Sequence, residues 1–133
     1  DGSLQLDQPG IRYLGNVPFA DVPYALAASD VLAIPYRRSP FMDAGASNKI
    51  AEAMACQRPI VATRSPNLTA NFPQQAQELE PYLAESSQPS SLATVLAQQL
   101  LDRKLVAAPQ NIYWSGITST LEQDLKRLNH DPA

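Results

Sequence analysis

An α/β fold with helices packed on a parallel sheet is what this sequence predicts, on three observations. Val31-Leu32-Ala33-Ile34-Pro35 and Ile60-Val61-Ala62 are apolar on both faces, the character of strands covered from both sides. Segments with helical apolar spacing alternate with such strands along the chain. Gly15, Gly45, Pro59 and Pro73 punctuate the boundaries between them.

Residues 1–10 hold two glycines and a proline and read as loop. Ile11 to Leu14 reads as a short strand ended by Gly15. Asp21 is placed to cap a helix from Val22 to about Ser29, with Pro23 in the first turn, where a missing N–H costs little. Val31 to Pro35 is the clearest strand, and residues 36–46 read as a loop with a glycine and small alanines.

The helix that follows, beginning at about Ser47, puts Ile50, Ala51, Met54 and Ala55 on one packing face. Lys49 and Glu52 are three apart and share another face. On spacing alone they are either an ordinary surface ion pair or a cation and carboxylate turned toward a ligand with phosphates and hydroxyls. Pro59 ends this helix, and a buried strand runs to Thr63. Cys56, at the apolar end of the helix, reads as a small buried filler.

Beyond Thr63, Asn67 to Gln77 reads as a short polar helix interrupted at Pro73, and Pro81 to Glu85 as a short strand before the turn at Ser86-Ser87-Gln88-Pro89. Ser90 or Ser91 is expected to cap a helix with Leu92, Val95, Leu96, Leu100 and Leu101 on one side. A last helix, from about Tyr113 to Leu128, is expected to bury Trp114, Ile117, Leu121, Leu125 and Leu128. One domain over residues 1–128 and a frayed tail over 129–133 complete the expected organisation.

Composition narrows the function. A hydrophobic fraction of 44% is that of a folded protein. A net charge of -3 and the lack of a basic run argue against nucleic acid as the partner, because neutralising phosphates needs clustered Lys and Arg. One cysteine makes no internal disulfide, and no Cys/His cluster has metal-ligand spacing. No apolar run has transmembrane length and no leader is visible, so a cytoplasmic location is expected. Asn67-Leu68-Thr69 matches a glycosylation sequon, a pattern frequent by chance.

Four segments in register carry a resemblance: Ile11-Arg12-Tyr13-Leu14-Gly15-Asn16-Val17, Ala28 to Tyr36, Lys49 to Ala55 and Arg58 to Thr63. Over these residues the chain resembles the C-terminal, nucleotide-sugar-binding domain of GT-B glycosyltransferases, especially the family-four retaining enzymes. The resemblance implies a Rossmann-like parallel sheet with flanking helices. It also implies transfer of a sugar from a nucleotide diphosphate to a saccharide or lipid acceptor, as in polysaccharide biosynthesis. A nucleotide-sugar epimerase shares the fold, and a non-catalytic interaction module is a reading of a different class; the Lys-x-x-Glu-Ala-Met-Ala pattern favours the transferase.

By the same resemblance Glu52 holds the ribose and Lys49 the diphosphate, with Ser47 and Asn48 at the helix start adding donors; the simpler role for Ser47 is the helix N-cap alone. The backbone of Gly15, Asn16 and Val17 borders the nucleobase; a glycine chosen only to let the chain turn is the alternative for Gly15. Many relatives carry a sugar-binding carboxylate where this chain has Ala44, and Asp43, one residue away, is the candidate for that role. Gln57 stands where the family has a helix-ending glycine. Tyr36-Arg37-Arg38 reads either as phosphate or acceptor contacts or as a solvated basic loop.

No metal or cofactor is implied beyond the nucleotide-sugar substrate. The catalytic and acceptor groups are expected on an N-terminal GT-B domain, and peripheral membrane association of the parent protein is compatible with a lipid acceptor. The domain in this family opens with two strands that the present chain lacks before Ile11, so the chain is expected to begin partway through it. With those strands missing from the sheet, the isolated chain is expected to associate or to be marginally stable, and to be inactive alone.

Overall fold

The computed structural model describes residues 8–130. Three short strands, β1 (Leu32–Ile34), β2 (Ile60–Thr63) and β3 (Leu83–Ala84), form a parallel sheet in the order β1-β2-β3. The register sets Leu32 opposite Ile60 and Ile34 opposite Ala62, then Ala62 opposite Leu83 and Thr63 opposite Ala84. Parallel neighbours need crossovers, and helices supply them. Between β1 and β2 run α2 (Pro40–Ala44) and α3 (Asn48–Ala55); between β2 and β3 run α4 (Pro66–Thr69) and α5 (Pro73–Glu78). Helix α1 (Val22–Ala27) precedes the sheet, and α6 (Pro89–Asp102) and α7 (Trp114–His130) follow it. The α/β class with a parallel sheet and flanking helices is therefore as the sequence implies.

Strand β2 is the centre, since all four of its residues are buried. Ile50, Ala53 and Met54 of α3 pack in the core with Leu68, Phe72 and Leu79, and Leu92, Val95 and Leu96 of α6 cover its margin. Fully burying an aliphatic chain such as Ile60 contributes about 1.5–3 kcal/mol. The one large polar side chain at the heart of the molecule is Gln99, 0% exposed. Its Nε2 donates to the Ile60 carbonyl at 2.9 Å and to the Lys104 carbonyl at 3.2 Å, while its Oε1 accepts from the Lys104 amide at 2.9 Å. One amide thus ties the central strand to the turn that ends α6, with both of its ends satisfied.

Helix α3 ends as its sequence requires, with an uncommon residue in the role. Gln57 has φ 52°, left-handed backbone. Its amide donates to the Met54 carbonyl at 3.0 Å and the Arg58 amide to the Ala53 carbonyl at 3.2 Å, the pairing of a Schellman motif. A glycine is physically required elsewhere: a Cβ on Gly116 would run into the Gln110 carbonyl, so α7 lies directly on the 3₁₀ turn Gln110–Ile112.

Several expectations are corrected. Ile11–Leu14 forms no strand; Ile11, Tyr13 and Leu14 are exposed, and no described strand lies beside them to complete a ladder. Strand β1 is shorter than Val31–Pro35 and is an edge, with Ala33 exposed, so the best-buried strand is β2. The expected loop at 36–46 contains α2, whose Ser39 cap accepts from the Met42 amide. In α3, Ala53 rather than Ala55 faces the core. Cys56 is half-buried instead of buried. Pro73 separates two helices where one interrupted helix is expected, and a 3₁₀ turn takes up Glu80–Tyr82 before β3. Neither Ser90 nor Ser91 caps α6: Gln88 holds the cap position, and the Ser91 hydroxyl accepts from the Glu85 amide at 2.9 Å. Leu100 and Leu101 are exposed.

The largest correction concerns α7. Trp114 is 81% exposed, and Ile117, Leu121 and Leu125 are also exposed. The side chain of Leu128 and the tail beyond His130 lie outside the described residues. Periodicity gives α7 an apolar stripe, but the element it packs along most closely is the turn at Gln110–Ile112.

Two stability outcomes follow. Gln99→Leu keeps the side-chain size but orphans the Ile60 carbonyl and the Lys104 amide, and lowers unfolding free energy by about 2 kcal/mol or more in a denaturant melt. Gln57→Gly removes the Cβ penalty of the left-handed position and raises it by about 0.5–1 kcal/mol; an unchanged midpoint would mean that the Gln57 backbone is unstrained.

Candidate functional site

The carboxyl ends of β1, β2 and β3 lie together at one edge of the sheet, the place where open α/β folds bind ligands. The start of α3 opens onto this edge. Ser47, 5% exposed, caps the eight-residue helix: its Oγ accepts from the Ile50 amide at 3.3 Å. Tyr36, just past β1, shares a 3.0 Å hydrogen bond between its hydroxyl and the same Oγ. Lys49 is exposed, and its Nζ lies 5.8 Å from the centroid of the Tyr36 ring, within reach of cation–π attraction.

These residues line a cavity of about 470 Å³ that also takes in Asn48, Phe41, Ala44 and Asn67. Its far wall is the stretch from Met42 to Gly45, and two asparagines hold that stretch in place. Asn67 Nδ2 donates to the Met42 carbonyl at 2.9 Å and Asn71 Nδ2 to the Gly45 carbonyl at 3.1 Å. Asn67 is buried, so the residue that matches a sequon is spent on holding the wall. Its role is the one that sequence reasoning missed; the available signal was an Asn four residues after a buried strand, where a side-chain amide readily bonds neighbouring backbone.

The expected site residues divide into groups. Ser47, Asn48 and Lys49 border this cavity together. Glu52 does not: one turn on, its exposed carboxylate borders a smaller cavity of about 190 Å³ with Phe19, Val22, Pro23 and Leu26, beside Cys56. Among the described residues Glu52 and Lys49 form no ion pair with each other or with any other side chain. Gly15, with φ 68°, and Asn16 are exposed and Val17 is half-buried; the three lie on the approach to the 3₁₀ turn Phe19–Asp21 that supplies the Glu52 cavity.

Asp43 sits apart from the cavity that Ala44 borders. The Arg38 Nε donates to both of its carboxylate oxygens, at 2.7 and 2.9 Å. That hydrogen bond also holds the Arg38 guanidinium above its ordinary pKa. Arg38 and Arg37 therefore differ: Arg38 is neutralised, whereas the Arg37 guanidinium has no ion-pair or hydrogen-bond partner among the described residues.

The arrangement suits an anion. A helix start carries unpaired amides and partial positive charge, and an exposed lysine in its first turn adds a full one. Among the described residues no group of three or more His, Cys, Asp or Glu is placed to hold a metal, and no helix is long and apolar enough to cross a membrane.

Comparison with known proteins gives one finding. No curated protein and no solved structure matches the chain significantly. A family model does match, over residues 2–102, which include the sheet, α3 and α6, and by that match the chain belongs to the family described as Glycosyl transferases group 1.

Proposed function

We propose that this chain is the donor-binding part of a retaining glycosyltransferase that takes its sugar from a nucleotide diphosphate. The observation that carries the reading is the start of α3, which opens with Lys49 onto a cavity at the carboxyl edge of a parallel sheet in a glycosyl transferase family member. The diphosphate lies against the α3 amides and Lys49. Glu52, about 5–6 Å away along the helix, accepts hydrogen bonds from the ribose hydroxyls, and the Gly15–Val17 backbone borders the base.

The chemistry follows from charge. As the glycosidic bond to phosphate breaks, negative charge grows on the departing nucleoside diphosphate. Fixed amides and an ammonium already aimed at it stabilise that charge without reorganisation. Tyr36 keeps them aimed, because its hydroxyl holds the cap of α3 and its ring lies under Lys49. Asp43 contacts the donor sugar only by giving up Arg38. The acceptor, a saccharide or a lipid, approaches from an N-terminal domain that supplies the remaining catalytic groups, and the reaction runs on the cytoplasmic side with the nucleotide sugar as the only small molecule required.

Calorimetry with UDP and GDP, and with uridine and guanosine as controls, tests the assignment. Lys49→Ala weakens the preferred diphosphate at least about tenfold, or about 1.4 kcal/mol, and leaves nucleoside binding nearly intact. Equal losses for both would make Lys49 a structural residue. Glu52→Ala weakens nucleotide and nucleoside alike by about 1.5–3 kcal/mol, the range for hydrogen bonds to a charged group. Unchanged affinity for every compound would remove Glu52 from the site.

A further inference from the structure

A second cavity, of about 360 Å³, lies along the same sheet edge and shares Tyr36 with the first. Pro35 after β1, Thr63 of β2 and Ala84 of β3 form its floor, and the start of α6 closes it. The Arg38 amide donates to the Ser86 hydroxyl at 3.2 Å, which fastens the loop after β1 to the turn before α6.

Two features give this cavity its chemistry. Arg37 borders it with a guanidinium that has no partner among the described residues, in contrast to its neighbour Arg38. Thr63 is only 6% exposed, and its hydroxyl has no hydrogen-bond partner among the described residues. The side chain lines the cavity, so its hydroxyl is available to a ligand atom there. Helix α6, fourteen residues long, starts here and closes the cavity with Gln88, Pro89 and Leu92.

The walls are otherwise apolar. Pro35, Pro89 and Leu92, with Tyr36, offer surface suited to the C–H faces of a sugar ring. The volume is at the low end of ligand pockets, which run from about 300 to 1,000 Å³, and fits a monosaccharide better than a nucleotide sugar. One group opposes an anion: Glu85 also borders the cavity, and Arg64, whose Nε lies 3.5 Å from its carboxylate, offsets that charge only in part because it also pairs with Glu80.

We propose that this second cavity binds a sugar phosphate, with the phosphate on Arg37 and the Thr63 hydroxyl, and the ring against Tyr36 and the prolines. The binding stands without the donor-site reading. Its role as an acceptor subsite, on the far side of Tyr36 from the donor diphosphate, rests on that reading.

Calorimetric titration of the protein with glucose 6-phosphate, glucose, inorganic phosphate and UDP tests the proposal. Saturable binding of glucose 6-phosphate is expected, tighter than glucose or inorganic phosphate. Arg37→Ala weakens it at least tenfold and leaves UDP affinity unchanged, whereas Lys49→Ala does the reverse. Thr63→Val weakens it severalfold and Thr63→Ser restores it, with circular dichroism melts confirming that both variants fold. Loss of UDP binding in wild type alongside Arg37-dependent glucose 6-phosphate binding would sink the donor reading and leave this site standing. Absence of glucose 6-phosphate binding, indifference to Arg37→Ala, or equal affinity for inorganic phosphate would overturn the sugar-phosphate site whatever UDP does.

Discussion

Everything in this molecule hangs on the burial of one short strand. β2 has a strand on each side and helices over it, and all four of its residues are buried. Buried backbone must find its hydrogen bonds inside the protein. β1 and β3 supply most of them, and beyond the ladder Gln99 reaches in to satisfy the Ile60 carbonyl. With the strand's direction fixed, its carboxyl end at Thr63 and those of β1 and β3 fall at one edge, and both larger cavities open there.

The site is built from the same few contacts. Tyr36 leaves the end of β1 at the spot where its hydroxyl meets the Ser47 cap, so the strand end and the helix start are fastened to each other. The cap directs α3, and α3 directs Lys49. Asn67 and Asn71 then hold the opposing wall through its backbone carbonyls. Tyr36 also borders the second cavity, which makes one aromatic ring the partition between the two.

Charge is sorted along this edge. Four acidic groups are spent on arginines near it or behind it: Asp43 on Arg38, Glu80 and Glu85 on Arg64, and Asp30 on Arg103. Exposed pairs of this kind contribute little to stability. Their effect is to leave Arg37 and Lys49 as the cations with no carboxylate partner among the described residues at the rim of the two cavities, so the edge presents net positive charge in a chain that is acidic overall.

Local rules explain what was legible in advance. The both-face-apolar run at Ile60, the Ser47 cap three residues before Ile50, and the helix end at Gln57 each depend on neighbours within a few positions, and all appear where the sequence puts them. The grouping of Ser47, Asn48 and Lys49 was legible for the same reason. Ile11–Leu14 and α7 were misread because a strand needs a ladder partner and an apolar stripe needs a cover, and neither is encoded within the segment itself. The separation of Glu52 from Lys49, the spending of Asp43 on Arg38, the use of Asn67 on a distant carbonyl and the bare hydroxyl of Thr63 depend on groups remote in the chain or on the shape of a cavity. By itself the sequence determined where α1, α3, α6, α7 and the buried strand β2 form, since period, caps and turn residues act locally; only the tertiary structure decided which charges stay free and which cavity each side chain faces, because those depend on what the packed sheet brings alongside.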